Sequence, residues 1–277
     1  MISDILNLLR CPVCKAEMER DGEGKTCRCR GARKHCFDFS RSGYLHLGGP
    51  HAGDGDGKEA VLARRAFLDA GHYQPLSDTV NRLLEQFAVR RVVDAGCGEG
   101  YYTNRMAEVA DAVLGIDLSR AGIDYAARRA KQQQTRAGFA VASLFEMPIQ
   151  SESVDAVVNL FAPCAEEEFL RVLKLDGILL LVGAGERHLM GLKQAIYQTP
   201  YANEGRADLP KGMELLEKKK LCYEISVEGR EMIAALFSMT PYYWRTSEHD
   251  RAKLDLLERL TTEVDFDIFV FRKEREG

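Results

Sequence analysis

An α/β fold is what this sequence predicts: a doubly wound, seven-stranded, mostly parallel sheet behind a small N-terminal metal-binding module. Three observations carry the prediction. From Arg91 to Val182, short apolar runs alternate with amphipathic stretches, the pattern of a parallel sheet covered by helices on both faces. The first run, Arg91–Ala95, passes straight into a glycine-dense turn. Five of the eight cysteines fall within residues 11–36. With 277 residues, 45% of them hydrophobic and 29% charged, the chain can bury a sizeable core, which excludes a disordered or fibrous protein.

Residues 1–47 form the expected module. The opening segment MISDILNLLR lacks a basic start and a small-residue cleavage site, so a secretory leader is not expected and a cytoplasmic location is. The best apolar run, Ile178–Val182, is far short of the ~18 residues that a membrane span needs. Cys11-Pro12-Val13-Cys14 is one pair of metal-ligand type, and Cys27, Cys29, His35 and Cys36 supply a second cluster. Thiolate and imidazole donors at these spacings suit one tetrahedral Zn²⁺, closed by four ligands and therefore structural. The set chosen is Cys11, Cys14, Cys29 and His35, with Cys27 or Cys36 able to substitute. A redox Cys-x-x-Cys would need a strand before it and a helix after it, and Arg10-Cys11-Pro12 offers no such strand. So short a segment cannot fold on apolar burial alone, and metal binding has to stabilise it. The net charge of −4 excludes a uniformly basic nucleic-acid binder, but seven Lys/Arg face three acids between Arg20 and Arg41. That local excess is either solvated surface or a phosphate contact.

Residues 48–58, with Gly at positions 48, 49, 53, 55 and 57, read as a linker, and residues 59–277 as the main domain. Glu59–Ala70 predicts a helix ended by Gly71. A second starts near Pro75, where Leu76, Val80, Leu83, Leu84 and Phe87 make an apolar stripe. Strands follow at Arg91–Ala95, Ala112–Asp117, Phe139–Ala142, Val154–Leu160 and Ile178–Val182. Helices at Tyr101–Ala110, Ser119–Lys131 and Glu166–Leu173 lie between them. Leu221–Val227 and Phe266–Phe271 complete the seven strands, with a late helical stretch placing Leu254, Leu257 and Leu260 toward the core.

The chemistry lies after the first strand. Gly96-Cys97-Gly98-Glu99-Gly100 lets the backbone turn sharply and lets a ligand approach closely. Asp94 precedes the turn, and Asp117 closes the next strand, where a carboxylate can grip ribose hydroxyls. Tyr101 stands where a nicotinamide-dinucleotide motif would have its third glycine. The pattern resembles motif I of the class I S-adenosylmethionine (SAM) methyltransferases, a Rossmann-like fold. Met147–Val157 and Arg171–Gly177 resemble that superfamily's fourth and fifth strand regions, although Leu175-Asp176 departs from its commoner Lys-Pro-Gly-Gly.

A closer resemblance spans nearly the whole chain. Arg64–Leu76, Gly96–Thr103, Phe161–Cys164, Arg187–Met190 and Met239-Thr240-Pro241 resemble the 23S ribosomal RNA (guanine-N1-)-methyltransferase family. So do Cys11-x-x-Cys14, His35-x-Phe37-Asp38 and Gly43-Tyr44 in the module, with extra residues before His35 as a departure. The resemblance implies SAM as cofactor and SAM contacts at Tyr73, Gly98, Glu99 and His188, with Asp94, Gly96 and Asp117 in the general class I site. It also implies a zinc module that helps to recognise a 23S ribosomal RNA hairpin, and a homodimer.

Other readings stand beside these. Asp94 could cap a helix, Tyr73 could pack on the sheet edge, and His188 could be a surface or capping residue. Cys164 follows Pro163 where pyrimidine C5-methyltransferases place a nucleophile, which gives a rival RNA chemistry. A SAM-dependent small-molecule methyltransferase is a third reading. The sequence names no proton acceptor for guanine N1; Asn159, Glu99 and the RNA itself stay open.

Overall fold

The computed structural model describes residues 3–48, 57–205 and 210–274. The centre of the expected linker, residues 49–56, lies outside the described residues. The module contains a short helix α1 (Ser3–Leu6) and strands β1 (Met18–Arg20), β2 (Thr26–Cys29), β3 (Cys36–Asp38) and β4 (Leu45–His46). Helices α2 (Lys58–Asp69) and α3 (Gln74–Gln86) lead into the main sheet. Its alternating part runs β5 (Arg91–Ala95), α4 (Tyr101–Met106), β6 (Ala112–Asp117), α5 (Arg120–Gln133), β7 (Ala137–Val141), β8 (Val154–Leu160), α6 (Glu166–Val172) and β9 (Leu173–Ala184). Helix α7 (Met190–Ile196), strand β10 (Met213–Glu228), helices α8 (Arg230–Ser238) and α9 (Glu248–Arg251), and strand β11 (Arg259–Lys273) complete it.

β1, β2 and β3 pair antiparallel as a separate small sheet. The large sheet has the order β10-β11-β9-β8-β5-β6-β7-β4. Its five central strands are parallel neighbours, whereas β10 and β11 run antiparallel at one edge. The chain moves outward from β5 through β6 to β7, then returns to β8 on the other flank of β5. That reversal opens a crevice at the carboxyl ends of β5 and β8, where doubly wound sheets bind ligands.

The seven expected strands are all present, joined by an eighth. Leu45 and His46 of β4 pair in parallel with Ala140 and Val141 of β7, so the module supplies the outermost strand of the main sheet. Ile5, Leu8 and Leu9 are buried in the same apolar cluster as Val93, Leu114 and Leu179. The module is thus docked on the sheet that follows it. A second difference concerns the late helical stretch. Leu254 is buried in a single tight turn, but Leu260 opens the long strand β11 opposite Val227. The spacing of three between Leu254, Leu257 and Leu260 mimics a helix face. Pairing along β10, with sixteen and fifteen residues in the two strands, overrides it. Among the described residues no helix is long and apolar enough to cross a membrane.

Candidate functional site

Two sites are assembled, one in the module and one in the crevice. In the module, Lys15 takes a left-handed backbone (φ 62°) and donates its N–H to the Cys11 carbonyl, closing the turn that turns Cys11 and Cys14 the same way. Cys27 and Cys29 lie two apart on β2 and share a face, so alternation along the strand cannot choose between them. The hairpin register does. Cys29 N–H donates to the His35 carbonyl, and His35 N–H donates to the Cys29 sulfur at 3.1 Å. The four donor atoms of Cys11, Cys14, Cys29 and His35 all lie within 4.8 Å of one another. Cys14 Sγ is 3.6 Å from Cys29 Sγ, and His35 Nδ1 is 3.5 Å from both Cys11 Sγ and Cys29 Sγ. A tetrahedral zinc with bonds of ~2.3 Å to sulfur and ~2.05 Å to nitrogen asks for separations of about 3.8 and 3.6 Å, so the donors present fit the ion. A side chain at Gly31 would meet Cys14 Sγ at 2.7 Å, which explains the glycine. Cys27 instead sits in the apolar core, where burial pushes its thiol up to about 11, and Cys36 is exposed. No disulfide joins any of the eight cysteines.

In the crevice, β5 delivers Asp94 and Ala95 to the turn. A Cβ on Gly96 (φ 86°) would fall 2.3 Å from Ala162 Cβ, and one on Gly100 (φ 76°) would fall 2.6 Å from Ala126 Cβ. Glycine is therefore required at both ends of the turn by space and by backbone. Asp94 is 1% exposed and accepts from Thr103 Oγ1 at 2.5 Å; burial pushes its carboxyl up to about 7 against that hydrogen bond. Glu99 is 2% exposed, and its Oε2 has no hydrogen-bond partner among the described residues. Burial likewise pushes it up to about 7, moderated by Arg64, whose Nη1 lies 3.9 Å away. Asp117 accepts the N–H of Gly98 at 2.9 Å on one oxygen and that of Ser119 at 2.7 Å on the other. It thereby shapes the turn as well as facing the crevice.

The far wall comes from distant segments. Tyr73, at the start of α3, is buried edge-on between Phe67 and Phe266, with its hydroxyl 3.4 Å from His188 Nε2. His188 Nδ1 accepts the N–H of Asp265 at 3.3 Å, and burial pushes the ring down to about 4, so it is neutral. The structure thus brings together Tyr73, Asp94, Gly96, Gly98, Glu99, Asp117 and His188 around the ends of β5, β6 and β9. Sequence reasoning missed Arg64 and Asp265. Arg64 lies inside a segment already singled out by resemblance, but only the packing of α2 beside the turn reveals its reach to Glu99. Asp265 accepts from Arg187 N–H and from Cys222 Sγ, and holds the His188 turn from β11 with no local signal.

Three carboxyl groups crowd this glycine turn. They would repel the pyrophosphate of a dinucleotide and favour a cationic ligand, as does the buried Glu99 oxygen, which makes no hydrogen bond among the described residues and has Arg64 only at 3.9 Å. The comparisons with known proteins agree. Residues 92–177 match a family described as "Methyltransferase domain", and residues 9–48 match a zinc-ribbon family described as "RlmA, N-terminal". A protein of Micromonospora griseorubida, provisionally named 23S rRNA (guanine-N(1)-)-methyltransferase, is 32% identical over 275 residues, covering 89% of this chain and 90% of its own. The chain belongs to the 23S rRNA (guanine-N1-)-methyltransferase family. Two other relatives carry the same family name. One from Bacillus subtilis (strain 168), also provisionally named, is 28% identical and covers 96% of this chain and 98% of its own. The 23S rRNA (guanine(748)-N(1))-methyltransferase of Streptomyces fradiae is 29% identical and covers 91% of each. As a member of this methyltransferase family, the chain uses SAM as its cofactor and carries zinc in its module.

Proposed function

We propose that this protein transfers a methyl group from SAM to N1 of a guanine in a hairpin loop of 23S ribosomal RNA. The ring of carboxyl groups on the glycine turn carries the reading, because a zwitterion bearing a sulfonium is the ligand it suits. When bound, SAM supplies an electrophilic methyl on a positively charged sulfur. Asp117 would accept from the ribose hydroxyls, Gly96 and Gly98 would admit the methionine end, and Asp94, Glu99, Tyr73 and His188 would line it. Asn159 commits its amide nitrogen to the carbonyls of Ala95 and Pro163, at 3.1 and 3.2 Å. That fastens the β8 corner to the strand that leads into the turn. Holding the base in line with the sulfur–methyl bond can offset ~7–11 kcal/mol of barrier. N1 takes part in Watson–Crick pairing, so the guanine must be unpaired or flipped out, which a loop base does at low cost.

Residues 1–47 would be the zinc-binding RNA-recognition module, 48–58 a linker and 59–277 the SAM domain. The surplus of Lys/Arg over acids between Arg20 and Arg41 supports a phosphate contact there. A homodimer and a cytoplasmic location complete the proposal, and sedimentation of the zinc-loaded chain tests the first. The function is tested by incubating the protein with labelled SAM and ribosomal RNA, digesting the RNA and mapping the labelled nucleoside. Label in 1-methylguanosine is the expected result; label confined to other molecules favours a small-molecule methyltransferase.

A further inference from the structure

We propose that the ring of Phe161 is the platform on which the acceptor guanine stacks, directly after β8 and beside the donor turn. The inference rests on the RNA-guanine reading above and adds the residue that receives the base. Phe161 lies in the left-handed region at φ 56°, the one aromatic among the described residues that does so. For a bulky side chain this conformation is costly and persists only where its surroundings impose it. Here they do. Phe161 N–H donates to the Val182 carbonyl at 3.0 Å, Asn159 pins the carbonyl of Pro163, and Ala162 packs against the backbone of Gly96.

The result is an aromatic residue 47% exposed at the end of a strand whose last five residues are buried. One flank of the ring is filled. Phe266 lies 5.5 Å from it, and His188 lies 6.4 Å away with its plane only 22° off parallel. The two rings that fill this flank, a neutral His188 and an apolar Phe266, set aromatic surface rather than a charged side chain against the Phe161 ring. The carboxylate nearest this corner, Asp265, is buried and engaged by the Arg187 N–H, the Cys222 thiol and Lys220. A chain that wanted a well-packed core would turn this ring inward. A fixed, half-exposed aromatic one residue from the floor of the donor turn fits an unstacked purine, which recovers by stacking on the ring part of what it loses on leaving the RNA.

The test compares Phe161→Ala, Phe161→Trp and Phe161→Gly in the full, zinc-loaded protein. Loss of a base-stacking ring predicts a fall of about 10- to 100-fold in kcat/KM toward a ribosomal RNA hairpin for Phe161→Ala. SAM affinity measured by calorimetry should stay within about twofold, and Phe161→Trp should restore turnover. Phe161→Gly relieves the left-handed backbone that Phe161→Ala keeps, so it should melt no lower than Phe161→Ala and yet be as inactive, which separates stacking from folding. As a direct reading, RNA with 2-aminopurine at the target position should lose fluorescence on binding the parent and far less on binding Phe161→Ala. A parent enzyme that methylates RNA alongside an equally active Phe161→Ala overturns the platform alone. Equal losses of SAM binding and turnover in Phe161→Ala also overturn it. A parent that transfers nothing to RNA overturns the functional reading and the platform with it.

Discussion

The module and the main sheet solve the same problem, holding a few side chains in fixed positions, by different physics. In β8 every residue except Asp155 is buried, and in β9 the run from Ile178 to Val182 is buried throughout. The sheet therefore rests on apolar burial and needs no ligand to exist. In the module, β1 and β3 bury one residue between them, and β2 buries only its two cysteines. Four ligands around a metal, together with docking through α1 and β4, replace the missing core. The difference teaches which part of the molecule depends on chemistry outside the chain.

Removing the metal should break the contrast most visibly. Stripping zinc with a chelator, or replacing Cys11 by Ala, should take bound zinc from one per chain to none. Amide-exchange protection across residues 9–48 should be lost while that of residues 91–182 persists. The apparent free energy at stake is of order 10 kcal/mol for structural zinc sites. A metal-free protein that keeps full protection in the module would refute the comparison.

The donor turn should show a smaller effect that depends on pH. Asp94 and Glu99 are held near 7 by burial, well above their unfolded values. In the ligand-free protein their protonated forms are favoured, so the stability they contribute is full below about pH 4 and is lost as pH rises to about 7. A cationic cofactor favours the ionised forms, so SAM affinity should rise with pH up to about 7 and level off above it. The gain between pH 6 and 8 should be about tenfold for each carboxyl that must lose its proton, read by calorimetry in several buffers. A flat profile would remove these carboxyl groups from the cofactor site. The smallest expected effect is at Cys164, which is half-buried against the apolar cluster around Phe169. Cys164→Ser should stay within about twofold of the parent in methyl transfer. Loss of activity together with a trapped covalent RNA adduct would favour the pyrimidine C5 route.

The central strands and the glycine turn were readable in the sequence because their signals are local. β-branched runs, glycines and the two aspartates need no distant partner to be recognised. The metal set was readable with Cys29 preferred as its third ligand and Cys27 or Cys36 able to substitute, because alternation along one strand leaves Cys27 and Cys29 on the same face. What stayed hidden depends on pairing between distant segments. β4 has only two residues and exists through β7; Leu260 belongs to a strand because β10 lies opposite it. Arg64 reaches Glu99 and Asp265 holds His188 only after the helices and edge strands have closed over the crevice. Phe161 could be placed by resemblance, but its left-handed backbone and exposed ring become visible only in the fold.

The most direct test of the account is a calorimetric titration of the zinc-loaded protein with SAM, repeated with Asp117→Ala. One site per chain for the parent, weakened about 100-fold when Asp117 can neither accept from the ribose nor hold Gly98, is the predicted result. An unchanged affinity in Asp117→Ala, or displacement of SAM from the parent by a nicotinamide dinucleotide, would contradict it.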